Sequence, residues 1–143
     1  MSNITQIGSD ISGKTISVSM NGSGNIVAIG ILSANSNTGT TKIYEWNETS
    51  WIQLGGDIDG EANEDQSGYS VSLNDAGNIV AIGAPFNNTV GDSSGQVRIF
   101  QYNGTDTWVQ LGIDIDGEAS GDRSGISVSL NSDGDILAIG ATR

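Results

Sequence analysis

The chain has 143 residues, enough for one domain with its own core, and it contains 21 glycines, one proline and only 15% charged residues. Its 17 acidic residues against 5 basic ones give a net charge of −12. Such a surface repels phosphate backbones and anionic lipid, so neither nucleic acid binding nor membrane insertion is expected. There is no cysteine, which excludes disulfides. No signal peptide is visible, so the cellular location is unknown.

In chain order, the first predicted element is a short strand at residues 5–8, and the first of three copies of one pattern follows it. The copies run over residues 17–30, 70–83 and 127–140. Each reads Ser-Val-Ser, a turn with Asn and Gly, and an apolar stretch ending in Ala-Ile-Gly. The period is 57 residues from Trp51 to Trp108. Self-similarity at such a period is typical of repeat architectures.

The middle copy predicts antiparallel strands and no helix. Residues 69–73 alternate between polar and apolar, as a half-buried strand does, and Gly77 suits the positive φ angle of a tight hairpin turn. Residues 78–84 are apolar at consecutive positions, which indicates a strand covered on both faces. The other predicted elements are a strand at 51–55, a polar loop at 57–68, a loop at 85–95, a strand at 96–102, a turn at 103–107 and a strand at 108–112.

Counted through the chain, these elements give 11 strands, or about 2.7 blades of four antiparallel strands in an all-β propeller. The sequence predicts a single repeat domain at 1–143, with blade 1 at about 4–50, blade 2 at about 51–107 and a partial blade 3 at about 108–143. The alternative fold is a β-trefoil, in which the three copies would wrap one shared barrel.

Residues 67–100 resemble an FG-GAP repeat, the blade unit of integrin-α-type propellers. The motifs that carry the resemblance are Ser-Gly-Tyr-Ser-Val-Ser-Leu, Ile-Val-Ala-Ile-Gly-Ala-Pro and Gly-Gln-Val-Arg-Ile-Phe. The Gly-Ala-Pro element is literal only at 83–85, and Ser-Gly-Tyr replaces the aromatic-Gly element at 67–69. The resemblance implies adhesion or ligand recognition at an extracellular or particle surface.

A meander of four strands places alternate connections on opposite faces, so the long loops are predicted to share one face. Binding residues are commonly found on such loops. Most carboxylates fall in them, and we expect this acidic face to recognise a protein or glycan ligand. The candidate ligand-binding residues are Asp57, Asp59, Glu61, Asp65, Asp92, Asp114, Asp116, Glu118 and Asp122.

The motif Asp-Ile-Asp-Gly-Glu occurs twice, at 57–61 and 114–118, and is a candidate Ca²⁺ site. Ca²⁺ takes about six to eight oxygen ligands, and each copy offers three carboxylates. The other interpretation is an Asp/Gly-rich connector whose carboxylates accept local backbone N–H groups. The candidate metal ligands are Asp57, Asp59, Glu61, Asp114, Asp116 and Glu118.

The family's own calcium hairpin, between the first two strands of a blade, is not expected to bind metal here. Its counterparts at 21–25, 74–78 and 131–135 are short and carry too few carboxylates.

An enzyme is not expected, because the chain has neither histidine nor cysteine. A glycoside hydrolase needs only two carboxylates about 5–10 Å apart, and the acidic loops could supply them. Carboxylates duplicated between repeats, however, indicate architecture rather than one asymmetric site. Arg98 is predicted to lie at a sheet edge or between blades, and Trp46, Trp51 and Trp108 are predicted to pack rather than to stack on sugars.

Closed propellers need about four to eight blades, more than are predicted here. Open edges and uncovered flanks must be covered by further repeats. We therefore expect either a fragment of a longer propeller or a head-to-tail ring of two or three identical chains, in which residues 5–8 complete the last blade of the preceding chain. The expected function is a non-catalytic binding or adhesion module. The alternatives are a purely structural, self-assembling repeat and a carboxylate-dependent glycoside hydrolase.

Overall fold

The computed structural model describes residues 3–32 and 36–142, and these residues form strands, turns and loops without a helix. The all-β fold class predicted from the sequence is confirmed. Residues 33–35 of the predicted first blade, and residues 1–2 and 143 of the predicted domain, lie outside the described residues. The strands are β1 (Thr15–Met20), β2 (Ile26–Ile31), β3 (Thr40–Trp46), β4 (Trp51–Gln53), β5 (Ile58–Asp59), β6 (Ser70–Leu73), β7 (Ile79–Ala84), β8 (Gln96–Tyr102), β9 (Trp108–Gln110), β10 (Ile115–Asp116), β11 (Ser127–Leu130) and β12 (Leu137–Gly140).

The strands form three antiparallel sheets, named here the first, second and third sheet in chain order. The first has the order β1-β2-β3, and both β4 and β5 pair with the far edge of β3. The second repeats this arrangement with β6 to β10, and the third consists of β11 and β12. Because the strands form separate sheets rather than one shared barrel, the trefoil alternative is wrong.

The sheets are divided at other positions than the sequence repeats. β4 begins at Trp51, where the second predicted blade begins, but it pairs with β3 of the first sheet, and Trp51 lies opposite Trp46. Likewise β9 begins at Trp108 and pairs with β8 of the second sheet, opposite Tyr102. Each five-stranded sheet therefore runs from its Ser-Val-Ser strand to its Asp-Ile-Asp-Gly-Glu motif.

Two strands lie where the sequence predicts a loop. β5 continues the line of β4 along β3 after a break, with Ile58 opposite Thr41. β10 does the same along β8, with Ile115 opposite Val97. The central residues of each acidic motif are therefore held by backbone pairing. Ile58 is buried in the core, whereas Ile115 is exposed.

Residues 5–8, which the sequence predicts as the outer strand of the preceding chain's last blade, pair with no described strand of this chain. The segment lies against the first sheet instead, where the indole Nε1 of Trp51 donates to the carbonyl oxygen of Ile7 at 3.3 Å. The second sheet makes the same contact with the first, since Nε1 of Trp108 donates to the carbonyl oxygen of Leu54 at 2.8 Å. Ile7 therefore occupies, relative to the first sheet, the position that Leu54 after β4 occupies relative to the second sheet.

The core lies between the first and second sheets. β7 is buried along almost its whole length, as its consecutive apolar residues predict. Branched and aromatic side chains of the second sheet pack against those of the first and exclude water from the space between them. The buried members of this cluster are Ile26, Ala28, Ile43, Ile58, Val71, Leu73, Val80, Ile82, Phe100 and Trp108.

Serine side chains bond neighbouring sheets at equivalent positions. In one kind of bond, a serine Oγ accepts from a backbone N–H of the following sheet at 2.9 Å. In the other, a serine Oγ donates at 2.7 Å to the carbonyl oxygen of a glycine that leads into the following sheet. The pairs are Ser19 with Leu73, Ser72 with Leu130, Ser17 with Gly68, and Ser70 with Gly125. The third sheet therefore follows the second as the second follows the first.

Candidate ligand-binding face

The long connections lie at one end of the sheets and the tight turns at the other. The connection after β5 bonds to the one before β3, since the N–H of Gln66 donates to the carbonyl oxygen of Asn37 at 2.8 Å. In the next repeat, the N–H of Arg123 donates to the carbonyl oxygen of Ser93 at 3.0 Å. We call this end the loop face. It is formed by residues 36–39, 60–68, 85–95 and 117–125.

The nine predicted ligand-binding residues are not equivalent in position. Asp57 and Asp114 lie between the paired segments of the outer strand, at the side of each sheet rather than on the loop face. Asp65 and Asp122 are buried, and Asp114 is half-buried. The exposed carboxylates next to or on the loop face are Asp59, Glu61, Asp92, Asp116 and Glu118.

The first aspartate of each acidic motif bonds within its own sheet. Asp57 accepts from Nε2 of Gln53 at 2.6 Å and lies 3.1 Å from Nζ of Lys42. Asp114 accepts from Nε2 of Gln110 at 2.7 Å.

The second aspartate of each motif bonds to a different group of the same sheet. Asp59 accepts from Oγ1 of Thr40 at 2.8 Å, and Asp116 accepts from Nε2 of Gln96 at 3.2 Å. The alternating carboxylates therefore do not turn towards a common centre. Among the described residues, no three acidic side chains converge so as to hold a metal ion.

The two buried aspartates shape the loops. Oδ2 of Asp65 accepts from the N–H of Ala62 at 3.2 Å and from Nδ2 of Asn87 at 3.0 Å. Oδ2 of Asp122 accepts from the N–H of Ala119 at 3.0 Å. Both aspartates follow the acidic motifs and accept a local backbone N–H group, whereas the aspartates within the motifs accept from side chains.

Arg98 connects the second sheet to the acidic motif of the first. Its side chain is buried, with the residue 7% exposed, and one guanidinium nitrogen donates to the carbonyl oxygen of Asp59 at 2.7 Å. The same nitrogen lies 3.4 Å from Oγ of Ser67, and the other lies 3.7 Å from the carboxylate of Glu61. Of the two positions considered for Arg98, the structure shows the one between sheets.

Two open cavities lie towards the loop face of the second and third sheets. One, of about 490 Å³, is lined by Asp116, Glu118, Ser124 and Ile139 among others. The other, of about 530 Å³, is lined by Asp92, Ser93, Ser120, Gly121, Arg123 and Thr142.

The second of these cavities includes residues that the sequence predictions missed. The guanidinium of Arg123 lies 5.4 Å from the ring centre of Phe86, which in turn makes an edge-on contact with Tyr69 at 6.0 Å. The sequence could have indicated Arg123, because it is the one basic residue between Arg98 and the last residue of the chain and lies in an acidic loop.

The loop face also holds backbone in a conformation that side chains rarely adopt. Asn37, Glu64, Gln66, Ser93 and Arg123 all have φ angles between 47° and 69°. Such residues cost about 1 kcal/mol or more each and persist only where their surroundings fix them. Here the backbone bonds between adjacent loops hold these residues in place.

No protein-family model matches the chain. No curated protein matches it at a significant level either. In the part of the chain that the structure describes, no helix is of a length and hydrophobicity that would cross a membrane.

Proposed function

We propose that the chain is a non-catalytic binding module, similar to FG-GAP propeller segments, that recognises a polar protein or glycan ligand on its loop face. The observation that carries the proposal is the cavity of about 530 Å³ between the loops of the second and third sheets. Its walls combine one carboxylate, one guanidinium and three hydroxyl groups, from Asp92, Arg123, Ser93, Ser120 and Thr142.

Fixed loops favour binding over a purely architectural role for this cavity. Ser93 and Arg123, which both line it, are held at a φ angle of 50° and are joined by a backbone hydrogen bond of 3.0 Å. A site that is already ordered loses little entropy when a ligand binds. The mixture of charged and hydroxyl groups suits a ligand with several hydrogen-bonding groups, as sugars and peptide surfaces have.

The positions of the acidic groups favour recognition over catalysis. Asp57, Asp59, Asp65 and Asp122 accept hydrogen bonds that organise strands and loops. Among the described residues, Asp92 is the one that brings a carboxylate to this cavity. A glycoside hydrolase needs a second carboxylate across the cleft.

Blade-like stacking is part of the same proposal. The recurrent serine bonds give successive sheets a constant relationship, which is what a propeller segment requires. The first sheet also exposes Val18 and Met20, whose counterparts Val71 and Leu73 in the second sheet are buried against a neighbour. This exposed flank supports assembly with further sheets of the same kind, supplied by identical chains in a ring or by a longer propeller.

The test is a glycan array and a cell-surface protein panel probed with the 143-residue chain, followed by calorimetric titration of any ligand retained. We expect Asp92→Asn and Arg123→Gln each to weaken binding at least tenfold. Asp133→Asn removes the same charge from the tight turn between β11 and β12, at the end of the sheets opposite the loop face. It is the matched control and should leave binding unchanged. The proposal is wrong if no ligand is retained, if both loop variants bind as well as the parent, or if a retained glycan is hydrolysed.

A further inference from the structure

The third sheet has an open edge with a defined hydrogen-bonding pattern. β12 pairs with β11 on one side, and no described strand pairs with its other side. The carbonyl oxygens of Ile136 and Gly140 accept bonds on the β11 side. Because backbone groups alternate along a strand, the N–H and C=O groups of Leu137 and Ile139 point to the open edge.

The second sheet shows what occupies the equivalent edge. There β7 pairs with β8, and Arg98 lies directly opposite Ile82. The first sheet has the same arrangement, with Lys42 opposite Ile29. A cationic side chain therefore stands at this register in both sheets that have a third strand, and Ile139 is the counterpart of Ile82 in the third sheet.

The cavity of about 490 Å³ beside β12 is an unfilled copy of the site that holds Arg98. In the filled site, the guanidinium contacts the carbonyl oxygen of Asp59, the hydroxyl of Ser67 and the carboxylate of Glu61. Ile82, opposite Arg98, is the fourth residue of this site. Each of the four residues has a counterpart 57 positions later in the sequence. The four counterparts all line the cavity, and they are Asp116, Ser124, Glu118 and Ile139.

We propose that the open edge of β12 and this cavity together bind an extended polypeptide strand that carries an arginine opposite Ile139. The strand adds to the third sheet antiparallel to β12, with backbone hydrogen bonds to Leu137 and Ile139. Its guanidinium donates to the carbonyl oxygen of Asp116 and lies beside Glu118. An acidic protein with a net charge of −12 favours the approach of such a cationic segment.

No described strand of this chain is free to serve as the donor. The two strands of this chain that carry the required cation are β3 and β8, and both are paired along both edges in the described sheets. A second copy could donate either strand only by opening its own sheet. The site is also distinct from the cavity assigned to the loop-face ligand, so peptide binding at β12 and ligand binding at the loop face can be tested independently.

The probe is a synthetic peptide with the sequence of residues 95–102, Gly-Gln-Val-Arg-Ile-Phe-Gln-Tyr, titrated into the 143-residue chain. We expect saturable binding, with amide NMR shifts at Leu137 and Ile139. Replacing the peptide's arginine by glutamate should weaken binding at least tenfold, whereas Glu118→Gln in the protein should weaken it by no more than about twofold, because an exposed ion pair contributes little. Glu61→Gln changes the filled site of the first sheet instead and is the matched control, with peptide affinity unchanged.

N-methylation of the peptide separates strand pairing from simple charge attraction. The N–H of Arg98 faces β7 in the second sheet, whereas the backbone of Ile99 faces the outer strand, since its carbonyl oxygen accepts from the N–H of Leu111 at 2.8 Å. Methylating the peptide nitrogen at the arginine should abolish binding, and methylating it at the isoleucine should not.

Three results would overturn the proposal. One is the absence of binding at millimolar peptide. Another is equal binding by the glutamate peptide or by the peptide methylated at arginine. The third is a set of shifts at Val80 and Ile82 in place of Leu137 and Ile139, because this would mean that the peptide displaces β8.

Discussion

Arg98 of β8 donates a hydrogen bond of 2.7 Å to the carbonyl oxygen of Asp59 in β5, across the boundary between the second and first sheets. The ion pair with Glu61 is longer, at 3.7 Å, and the glutamate side chain is 45% exposed. Exposed ion pairs contribute little, whereas a hydrogen bond from a charged donor to a carbonyl oxygen contributes more. The backbone bond is therefore the main polar contribution of Arg98 to the contact between these sheets.

Arg98→Met should destabilise the protein by about 2–3 kcal/mol, because the carbonyl oxygen of Asp59 loses a charged donor. Glu61→Gln should change stability by less than about 0.5 kcal/mol. Urea denaturation measures both. An equal effect of the two variants would show that the ion pair, rather than the backbone bond, holds Arg98.

Thr41 offers a stabilising substitution. Its Oγ1 is the one buried side-chain polar atom of the described residues without a hydrogen-bond partner. The corresponding position opposite β10 holds Val97, which is fully buried. Thr41→Val should stabilise the protein by about 1 kcal/mol and raise Tm by about 3 °C, as measured by scanning calorimetry. The reverse change, Val97→Thr, should lower Tm, and a fall in Tm for both variants would contradict the prediction.

Gly83 of the second sheet lies close to the backbone of Gly125, which leads into the third sheet. A Cβ added there would collide with the carbonyl oxygen of Gly125, which is backbone and cannot rotate away. Gly83→Ala should therefore destabilise by about 3 kcal/mol. Gly140 is the counterpart in the third sheet, where an added Cβ meets only atoms of Ser127, above all its side-chain oxygen. Gly140→Ala should cost less than about 1 kcal/mol, and equal losses in thermal unfolding would argue against this account.

Two tryptophans test the role of the segment before β1. Trp108→Phe removes the 2.8 Å bond to the carbonyl oxygen of Leu54 and should cost about 1–2 kcal/mol. Trp51→Phe removes the longer, 3.3 Å bond to Ile7 and should cost no more than about 0.5 kcal/mol. Amide hydrogen exchange provides the second readout. Exchange should increase near Ile7 in the second variant, and unchanged exchange there would contradict the assigned contact.

The exposed flank of the first sheet predicts association in solution. Val18 is 66% exposed, whereas its counterpart Val71 is 8% exposed under a neighbouring sheet. We expect sedimentation equilibrium to give dimers or trimers, and Val18→Glu to shift them towards monomer. Ile52→Glu, at an outer-strand residue that is 52% exposed, is the control and should leave the mass unchanged. A parent chain that is a stable monomer at high concentration would contradict the ring.

Much of the fold follows from the sequence, because its strands repeat a local pattern. The alternation at residues 69–73 and the apolar run at 78–84 predicted β6 and β7 to within one residue. Gly77, expected at a positive φ angle, has a φ of 72°. In these elements, local propensity and the buried environment favour the same conformation.

The elements that the sequence predictions missed depend on partners distant in the chain. β5 and β10 are two residues long, and each exists because β3 or β8 has free backbone groups beyond the end of β4 or β9. Residues 5–8 resemble the outer strand in sequence, but no third strand lies beside them to pair with. The cavity lined by Asp92 and Arg123 is formed by loops of two repeats, so no single stretch of sequence predicts it.

The recurrence of the serine bonds bears on how such a protein can change in length. The second sheet presents to the third two serine hydroxyl groups equivalent to those that the first sheet presents to the second. Duplication of one 57-residue unit, in a genome or in the laboratory, would add a sheet without requiring any compensating substitution at the junctions. The architecture should therefore tolerate an increase in the number of its repeats.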